Sequence, residues 1–393
     1  MEAKPGYADV MQFVDTLKGN RLVKTAVAGK SFEGREIPVL EITDPRVADD
    51  DKQLVIVAGG THGSEEAGRV ATMAFVEWLA SGAPYVTLRN QKFIVFPCVN
   101  PDGSIRNSYH NAQDINIYMS YAPGAEPTSH EGKVVWSVVG GLNPALVVDV
   151  HGLAGGAMAE SFYCHVGFHN SPVTKYLNLV LAEECRQAAE RAGFPQREPH
   201  QEDLPGLPQR FTKECNAFGY TLEITENFYP LHLMRESGLV RLQALAAIGD
   251  RRNWYHYYQG YPCEAIAGNA MCLLTAHGRT AAQRGQNRRQ LIATVKDVPN
   301  MHRAAADKDN TAAAILEVAR DLEGLPRYSM QMRVHKPARI REVKYDGKEL
   351  APGDETSGYI IWEDNASWLI RVNIDQMPTK GTHTAAARYD VEW

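Results

Sequence analysis

Residues 53–79 read QLVIVAGGTHGSEEAGRVATMAFVEWL, and the reading of this stretch decides the fold. Leu54 to Ala58 form an uninterrupted apolar run of strand length, which Gly59-Gly60 break. From about Glu65, the apolar residues Val70, Met73, Ala74, Val76 and Leu79 recur at three-to-four spacing, which predicts a helix. Because the strand run does not alternate, it suits a strand covered on both faces, as in α/β proteins. The turn between strand and helix carries His62 and Glu65, three residues apart and able to converge on one point. Imidazole nitrogen and carboxylate oxygen are both good zinc ligands, and a catalytic zinc commonly takes three protein ligands and keeps a fourth position for water. His-x-x-Glu is common by chance, so the pair acquires meaning only if the chain supplies a third ligand.

At 393 residues the chain is long enough for a full core, and its length suits one large domain plus a smaller one. With 44% hydrophobic residues, 22% charged residues and a net charge of −6, its composition is that of an ordinary soluble protein. No basic stripe argues for nucleic acid, and the negative balance argues against it. No run of about eighteen apolar residues appears, so no membrane span is expected. The opening MEAKPGYADVMQF lacks a signal-peptide pattern, and the six cysteines are scattered with no C-x-x-C pair. The expected setting is cytoplasmic, with reduced thiols.

Tyr7, Val10, Met11, Phe13 and Leu17 mark a short amphipathic helix, a strand follows at 21–28, and a turn beginning at Ser31 feeds a second strand that ends at Thr43-Asp44-Pro45. Lys92 to Val99 is a further buried strand that stops at Asn100-Pro-Asp-Gly103, a strong turn signal. Ser104 to Pro127 has little periodicity and reads as a long functional loop. Pro144 to Val150 is another apolar strand, ending at His151-Gly152, and Ser161 to Val166 and Gly219 to Thr225 are two more. Helical spacing runs over 173–192 and 231–258, the second stretch ending in an aromatic cluster, Trp254 to Tyr258, that reads as packing. Residues 265–309 turn polar and basic, and Thr311 to Leu322 reads as a short helix. From Tyr328, short alternating strands are punctuated by turns at Asp346-Gly347, Pro352-Gly353 and Lys380-Gly381. The expected organisation is an α/β domain over 1–260, with a mixed, mostly parallel central sheet and helices on both faces. A polar and helical connector over 261–327 and a small β-rich C-terminal module over 328–393 follow it.

His151 is the third ligand that the opening stretch requires. His62, Glu65 and His151 then stand at the carboxyl ends of two buried strands, where open α/β sheets place their ligands. Glu223 lies within an apolar strand, a setting a carboxylate occupies only with a partner or a job. Zinc on two His and one Glu, with a second Glu nearby, suffices for metal-assisted hydrolysis. The metal polarises the scissile carbonyl and acidifies a water, while the free carboxylate moves the proton to the leaving amine.

Six segments in order carry a resemblance to the zinc carboxypeptidases of the carboxypeptidase A-like family. They are Gly29-Lys-Ser-Phe-Glu-Gly-Arg-Glu-Ile, His62-Gly-Ser-Glu65, Asn100-Pro-Asp-Gly103, Asp114-Ile-Asn116, Asp149-Val-His151 and Thr221-Leu-Glu223. The likeness covers roughly residues 7–258. It implies one zinc per chain held by His62, Glu65 and His151, the His₂Glu set for which carboxypeptidase A is itself known. It further implies Glu223 as general acid/base, Asp114 as the carboxylate orienting the first histidine, and Arg106 as the oxyanion-stabilising arginine.

The departures from the family bear on substrate. Where the family keeps Asn-Arg to grip a terminal carboxylate, this chain has Asn116 followed by Ile117, and isoleucine cannot make that bidentate contact. No capping tyrosine stands in the loop before Glu223, which offers Glu198, His200, Glu202, Asp203, Arg210 and Lys213 instead. Arg210 or Lys213 is thus a candidate for docking an acidic group, and His110, His165 and His169 are further pocket candidates. The 85 residues between Glu65 and His151 are few for a digestive carboxypeptidase. They resemble the murein-peptide amidases and the aspartoacylase/succinylglutamate desuccinylase branch. The expected activity is zinc-dependent cleavage of an amide in a small peptide-like or N-acyl amino-acid substrate. An aspartoacylase-like deacylase of acidic N-acyl groups, and a non-catalytic binding protein on the same fold, are the alternatives. The C-terminal module is open to two roles, covering the active-site mouth or pairing copies into a homo-oligomer.

Overall fold

The computed structural model describes residues 5–47, 49, 52–142, 144–153, 162–164, 172–194, 196–201, 203–215, 217–226, 229–250, 266–267, 270–273, 293–298, 310–318, 328–335, 338–354, 357–364, 367–375 and 379–391. The chain divides into two compact units, Met1–Phe168 with Tyr176–Tyr255, and His169–Lys175 with His256–Trp393.

In the first unit α1 (Tyr7–Thr16) leads into β1 (Val23–Lys30), β2 (Glu36–Ile42) and β3 (Gln53–Gly59). Next come α2 (Glu66–Ala80), α3 (Tyr85–Asn90), β4 (Gln91–Phe96), α4 (Pro101–Arg106) and α5 (His130–Val139). The chain continues through β5 (Leu146–Leu153), β6 (Phe162–Cys164), α6 (Pro172–Arg191), β7 (His200–Gln201), α7 (Leu207–Cys215), β8 (Phe218–Thr225) and α8 (Leu231–Asp250). The strands form one eight-stranded sheet in the order β1-β2-β4-β3-β5-β8-β6-β7. Its middle, β4-β3-β5-β8, is parallel throughout, while β1, β2 and β6 join antiparallel.

The parallel middle explains the unbroken apolar runs, since both faces are covered. Ile56, Ala58, Ile94, Phe96 and Val147 pack against Val135 and Val139 of α5 and Leu207 and Phe211 of α7. On the opposite face Phe93 meets Phe75 of α2, and α2 and α3 pack with α8. From β3 the chain moves to β4 on one side, then crosses to β5 on the other. The switch point where such sheets bind ligands therefore lies between the carboxyl ends of β3 and β5.

The second unit holds two five-stranded sheets. Its strands are β9 (Ile266–Ala267), β10 (Ala270–Leu273), β11 (Ala293–Val298), β12 (Asn310–Val318), β13 (Tyr328–His335), β14 (Ala338–Tyr345), β15 (Lys348–Glu349), β16 (Gly358–Asp364), β17 (Ser367–Ile374) and β18 (Gly381–Val391). They run β16-β17-β13-β10-β9 and β11-β12-β18-β14-β15, over a core that includes Leu316, Met330, Met332, Ile370 and Val372.

Two sequence expectations are corrected here. The segment read as a helix from Thr311 contains β12, which pairs with β11 and β18 along its length. Its alanines, leucine and glutamate favour a helix, but propensity differences of about 1 kcal/mol or less per residue yield to two flanking strands and buried Ala312, Ala314 and Leu316. Nor is 261–327 a helical connector, for its described strands β9 to β12 belong to the sheets of the second unit. The aromatic cluster Trp254 to Tyr258, and His165 and His169, lie outside the described residues. Among the described residues no helix is long and apolar enough to cross a membrane.

Candidate metal centre

The turn after β3 depends on backbones approaching closely. Gly60 has φ of 63°, a left-handed conformation that glycine adopts without a Cβ penalty. A side chain on Gly63 would come within 2.0 Å of the Gly103 carbonyl carbon, so the turn sits directly on the start of α4. Asn100 locks this contact. Its Oδ1 caps α4 by accepting from Gly103 N at 2.8 Å, and its Nδ2 donates to the carbonyls of Thr61 and His110. Glu65 is the N-cap residue of α2, where the positive end of the helix favours a carboxylate.

Three buried side chains converge there. His62 Nδ1 lies 2.9 Å from Glu65 Oε1 and 3.0 Å from His151 Nδ1, and His151 Nδ1 lies 3.1 Å from Glu65 Oε2. The two facing Nδ1 atoms can share at most one proton, which leaves a nitrogen lone pair and two carboxylate oxygens pointing into one small space. A dication satisfies all of them, and the N, N, O donor set with its ligand atoms within 4.8 Å fits zinc. Burial alone would raise the Glu65 carboxyl, but hydrogen bonds from His151 and His62 outweigh it and hold Glu65 down at about 2. Burial pushes His151 the other way, toward the neutral form. The charge and hydrogen bond of Asp149, with those of Glu65, overcome it and hold His151 well above the ordinary histidine range.

Each imidazole is steadied from behind. His62 Nε2 donates to Asn116 Oδ1 at 3.0 Å. His151 Nε2 stands 3.2 Å from Asp149 Oδ2, and Asp149 Oδ1 accepts from Thr61 Oγ1 at 2.8 Å. The Asp149 contact has ion-pair distance with imperfect hydrogen-bond alignment. A small ring tilt is enough to align the buried imidazole with this carboxylate. Gly152 N donates to Glu65 Oε2, and Glu226 Oε1 accepts from Ala67 N in the first turn of α2.

Sheet register carries Glu223 to the same place. In β5 paired with β8, His151 stands opposite Glu223 and Asp149 opposite Thr221. Ile224 packs toward α8 near Gly238, so Thr221 and Glu223 face the other side of the sheet, with Asp149 and His151. Tyr118 OH meets Thr221 Oγ1 at 3.0 Å and accepts from Gln209 Nε2 at 2.8 Å, and its ring stands edge-on to His151. Tyr109 stacks on His62 with centroids 3.6 Å apart.

His62, Glu65, His151 and Glu223 are brought together; the other sequence candidates go elsewhere. Asp114 does not orient His62. Its side chain, 93% exposed, lies against His110, because its left-handed backbone (φ 60°) turns it out of the site. Asn116 occupies its place, and so is turned to the histidine rather than to a substrate. Arg106 ends the short α4 at the surface and pairs with Glu33. Ile117 is wholly buried in the core beneath the sheet. Arg210 lies over the Trp136 ring at 3.5 Å and bonds Glu214, and Lys213 pairs with Asp203. The sequence reading missed Asp149, Asn116 as orienter, Tyr109 and Glu226. For Asp149 a signal existed, since Asp-x-His in a strand puts both side chains on one face. Tyr109, in a loop without periodicity, offered none.

Fold and site together define an α/β domain of metallocarboxypeptidase type with one candidate zinc centre. Residues 10–122 match the family model described as zinc carboxypeptidase, Peptidase_M14, and the His62, Glu65 and His151 cluster could hold the zinc which that family uses. The inactive metallocarboxypeptidase ECM14 of Ajellomyces dermatitidis is 40% identical over 85 residues, 20% of this chain and 14% of that protein. Carboxypeptidase D of Mus musculus is 32% identical over 143 residues, 32% of this chain and 10% of that protein. The chain thus spans a seventh or less of these curated relatives. A metallo-carboxypeptidase structure from Burkholderia cenocepacia has a TM-score of 0.55 at 19% identity, covering 62% of this chain and 69% of that one, a likeness of fold.

Proposed function

We propose that the protein is a zinc-dependent hydrolase cleaving the amide bond of a small peptide-like or N-acyl amino-acid substrate. The convergence of His62, Glu65 and His151, with Glu223 beside His151 in register, carries this reading. Zinc, held through the two Nδ1 atoms and the Glu65 carboxylate, would polarise the scissile carbonyl and acidify a water. Asn116 and Asp149 keep both imidazoles turned so that Nδ1 faces inward. Glu223 takes the proton of the attacking water on a carboxylate oxygen and returns it to the leaving nitrogen. Its half-buried position opposite His151 in the β5–β8 register supports that role.

Burial of Ile117, and the pairing of Arg210 and Lys213 with Glu214 and Asp203, support substrates that need no terminal-carboxylate clamp. The same pairing weighs against an acidic-acyl deacylase. We place the activity in the cytoplasm, a setting that the buried free thiols Cys98 and Cys185 support. The test is a panel of peptides, N-acyl amino acids and lactams, with matched free-acid and amidated members, run on zinc-loaded protein. Wild type should cleave blocked members as well as free ones, whereas strict dependence on a free α-carboxylate would overturn the substrate reading. Glu223→Gln should keep its zinc and lose turnover, and a zinc-replete variant at the wild-type rate would sink the mechanism.

A further inference from the structure

Glu65 is the N-cap residue of α2. A side chain there ordinarily accepts from the N–H of the second or third helical residue, which has no partner within the helix. The Glu65 carboxylate makes no such bond. It is turned instead to His62 Nδ1, His151 Nδ1 and Gly152 N, at 2.9, 3.1 and 3.1 Å. The N–H that it leaves is that of Ala67, the second residue of the helix. Glu226 Oε1 takes it at 2.8 Å, from 159 residues away.

Strand order brings Glu226 to this position. β8 ends at Thr225, and Glu226 N donates to the Leu153 carbonyl, which carries the pairing of β8 with β5 one step further. Side chains alternate faces along a strand, so Glu226 falls on the face of Ile224, which α2 and α8 cover, and not on the face of Glu223. Its carboxylate lies directly on Gly152, where an added Cβ would come within 2.0 Å of Oε1 and 2.4 Å of the carboxyl carbon. Gly152 is also the residue whose N–H holds Glu65 Oε2. Glu226 is therefore wedged between the end of β5, beside His151, and the first turn of α2, beside Glu65.

We propose that Glu226 is a positioning residue of the metal centre. By accepting from Ala67 N it does the capping that falls to an N-cap side chain, and so leaves the Glu65 carboxylate to the metal. Without it, the Ala67 N–H competes for the Glu65 carboxylate, and each bond made there turns an oxygen away from His62 and His151. The inference rests on the zinc-binding part of the reading above and on none of its substrate assignment. What Glu226 supplies is an acceptor at a fixed place, which a glutamine of the same length also supplies. Partners that hold a metal ligand in orientation are worth about 10–100-fold in metal affinity.

Zinc affinity is measured by chelator competition on the full chain, with thermal melting of the metal-free protein alongside. The variants are Glu226→Ala, Glu226→Gln, Gly152→Ala and the double variant Gly152→Ala/Glu226→Ala. The control is Asp44→Ala, which also removes a buried carboxylate that accepts from a backbone N–H, that of Arg46 at 3.0 Å, but beside the start of β4 and away from the centre. Glu226→Ala should bind zinc about 10–100-fold more weakly, with Glu226→Gln restored to within about threefold of wild type. Asp44→Ala should lower Tm and keep its zinc affinity. Gly152→Ala, whose methyl displaces the Glu226 carboxylate, should also weaken zinc binding. In the Glu226→Ala background that clash is gone, so the same methyl should change affinity by less than about threefold. Wild-type zinc affinity in Glu226→Ala or Gly152→Ala, fully additive losses in the double variant, or an equal loss in Asp44→Ala overturns the inference and leaves the zinc centre intact. Glu226→Gln as weak as Glu226→Ala overturns the acceptor role. Should Glu226→Ala not fold, Gly152→Ala and Glu226→Gln decide by the same criteria. Wild type that binds no zinc takes down the zinc reading, and this inference with it.

Discussion

Replacing Asp149 by Asn should weaken zinc binding without unfolding the protein. Asp149 is 1% exposed, accepts from Thr61 and stands 3.2 Å from His151 Nε2. At that distance an effective dielectric of about 20 gives a gross attraction for the charged pair of about 5 kcal/mol, most of it offset by desolvation. The carboxamide keeps the shape and offers an oxygen to one neighbour and an NH₂ to the other, so the buried hydrogen bonds survive in number. What is lost is the negative charge that makes His151 a more basic ligand and fixes its Nε2–H tautomer. Removing such a partner typically costs about 10–100-fold in metal affinity, which is about 1.4–2.8 kcal/mol. Competition against a chromophoric chelator measures it, with circular dichroism confirming the fold. Zinc affinity within about threefold of wild type, in a folded variant, would refute the reasoning and leave Asp149 as a spectator.

Proton linkage should be visible at the same centre. Asp149 and Glu65 hold His151 well above the ordinary histidine range despite its burial, so zinc competes with a proton there and apparent affinity should weaken as pH falls. An affinity constant between pH 6 and 8 would contradict the pairing with Asp149 and Glu65. Glu65 has the opposite sign. With its carboxyl held at about 2 against an ordinary 4.5, the native state binds fewer protons than the unfolded one, so the metal-free protein should lose stability as pH falls from 4.5 toward 2. Acid titration of wild type against Glu65→Gln checks this, and parallel curves would dismiss it. Gly68→Ala tests the helix–strand contact, since its Cβ would lie 2.3 Å from the Val150 carbonyl oxygen. Forcing α2 off β5 should cost about 1–3 kcal/mol, lower Tm by several degrees and weaken zinc binding by moving Glu65 from His151. A variant with unchanged Tm would show that the contact relaxes freely.

Much of the centre was legible in the chain because the parallel middle of the sheet leaves a plain trace. Leu54 to Ala58 and Ala145 to Val148 are apolar throughout, and Gly59-Gly60 end the first run while Asp149 ends the second. His62, Glu65 and His151 follow from those endings. The β12 strand was not legible, because Thr311 to Val318 carries helix-favouring residues and only its partners β11 and β18, far along the chain, make it a strand. The assignments of Asp114 and Arg106 failed for a related reason, since motif order says nothing of where a loop turns its side chains. Asp114 faces away on a left-handed backbone, and Arg106 meets Glu33, distant in sequence.

By itself, then, the sequence determined the strand–turn–helix around His62 and Glu65, the third ligand and the carboxylate of Glu223, all of which are encoded by local periodicity and by where it stops. Tertiary structure alone decided which groups stand behind the ligands and which stand before them. Asn116 reaches His62 across 54 residues, Asp149 reaches Thr61 across 88, and Tyr109 folds onto His62 from a loop without pattern. The physical reason is that hydrogen-bond direction and ring stacking depend on how backbones approach, here through Gly60, Gly63 and Gly68, and such approaches have no one-dimensional period.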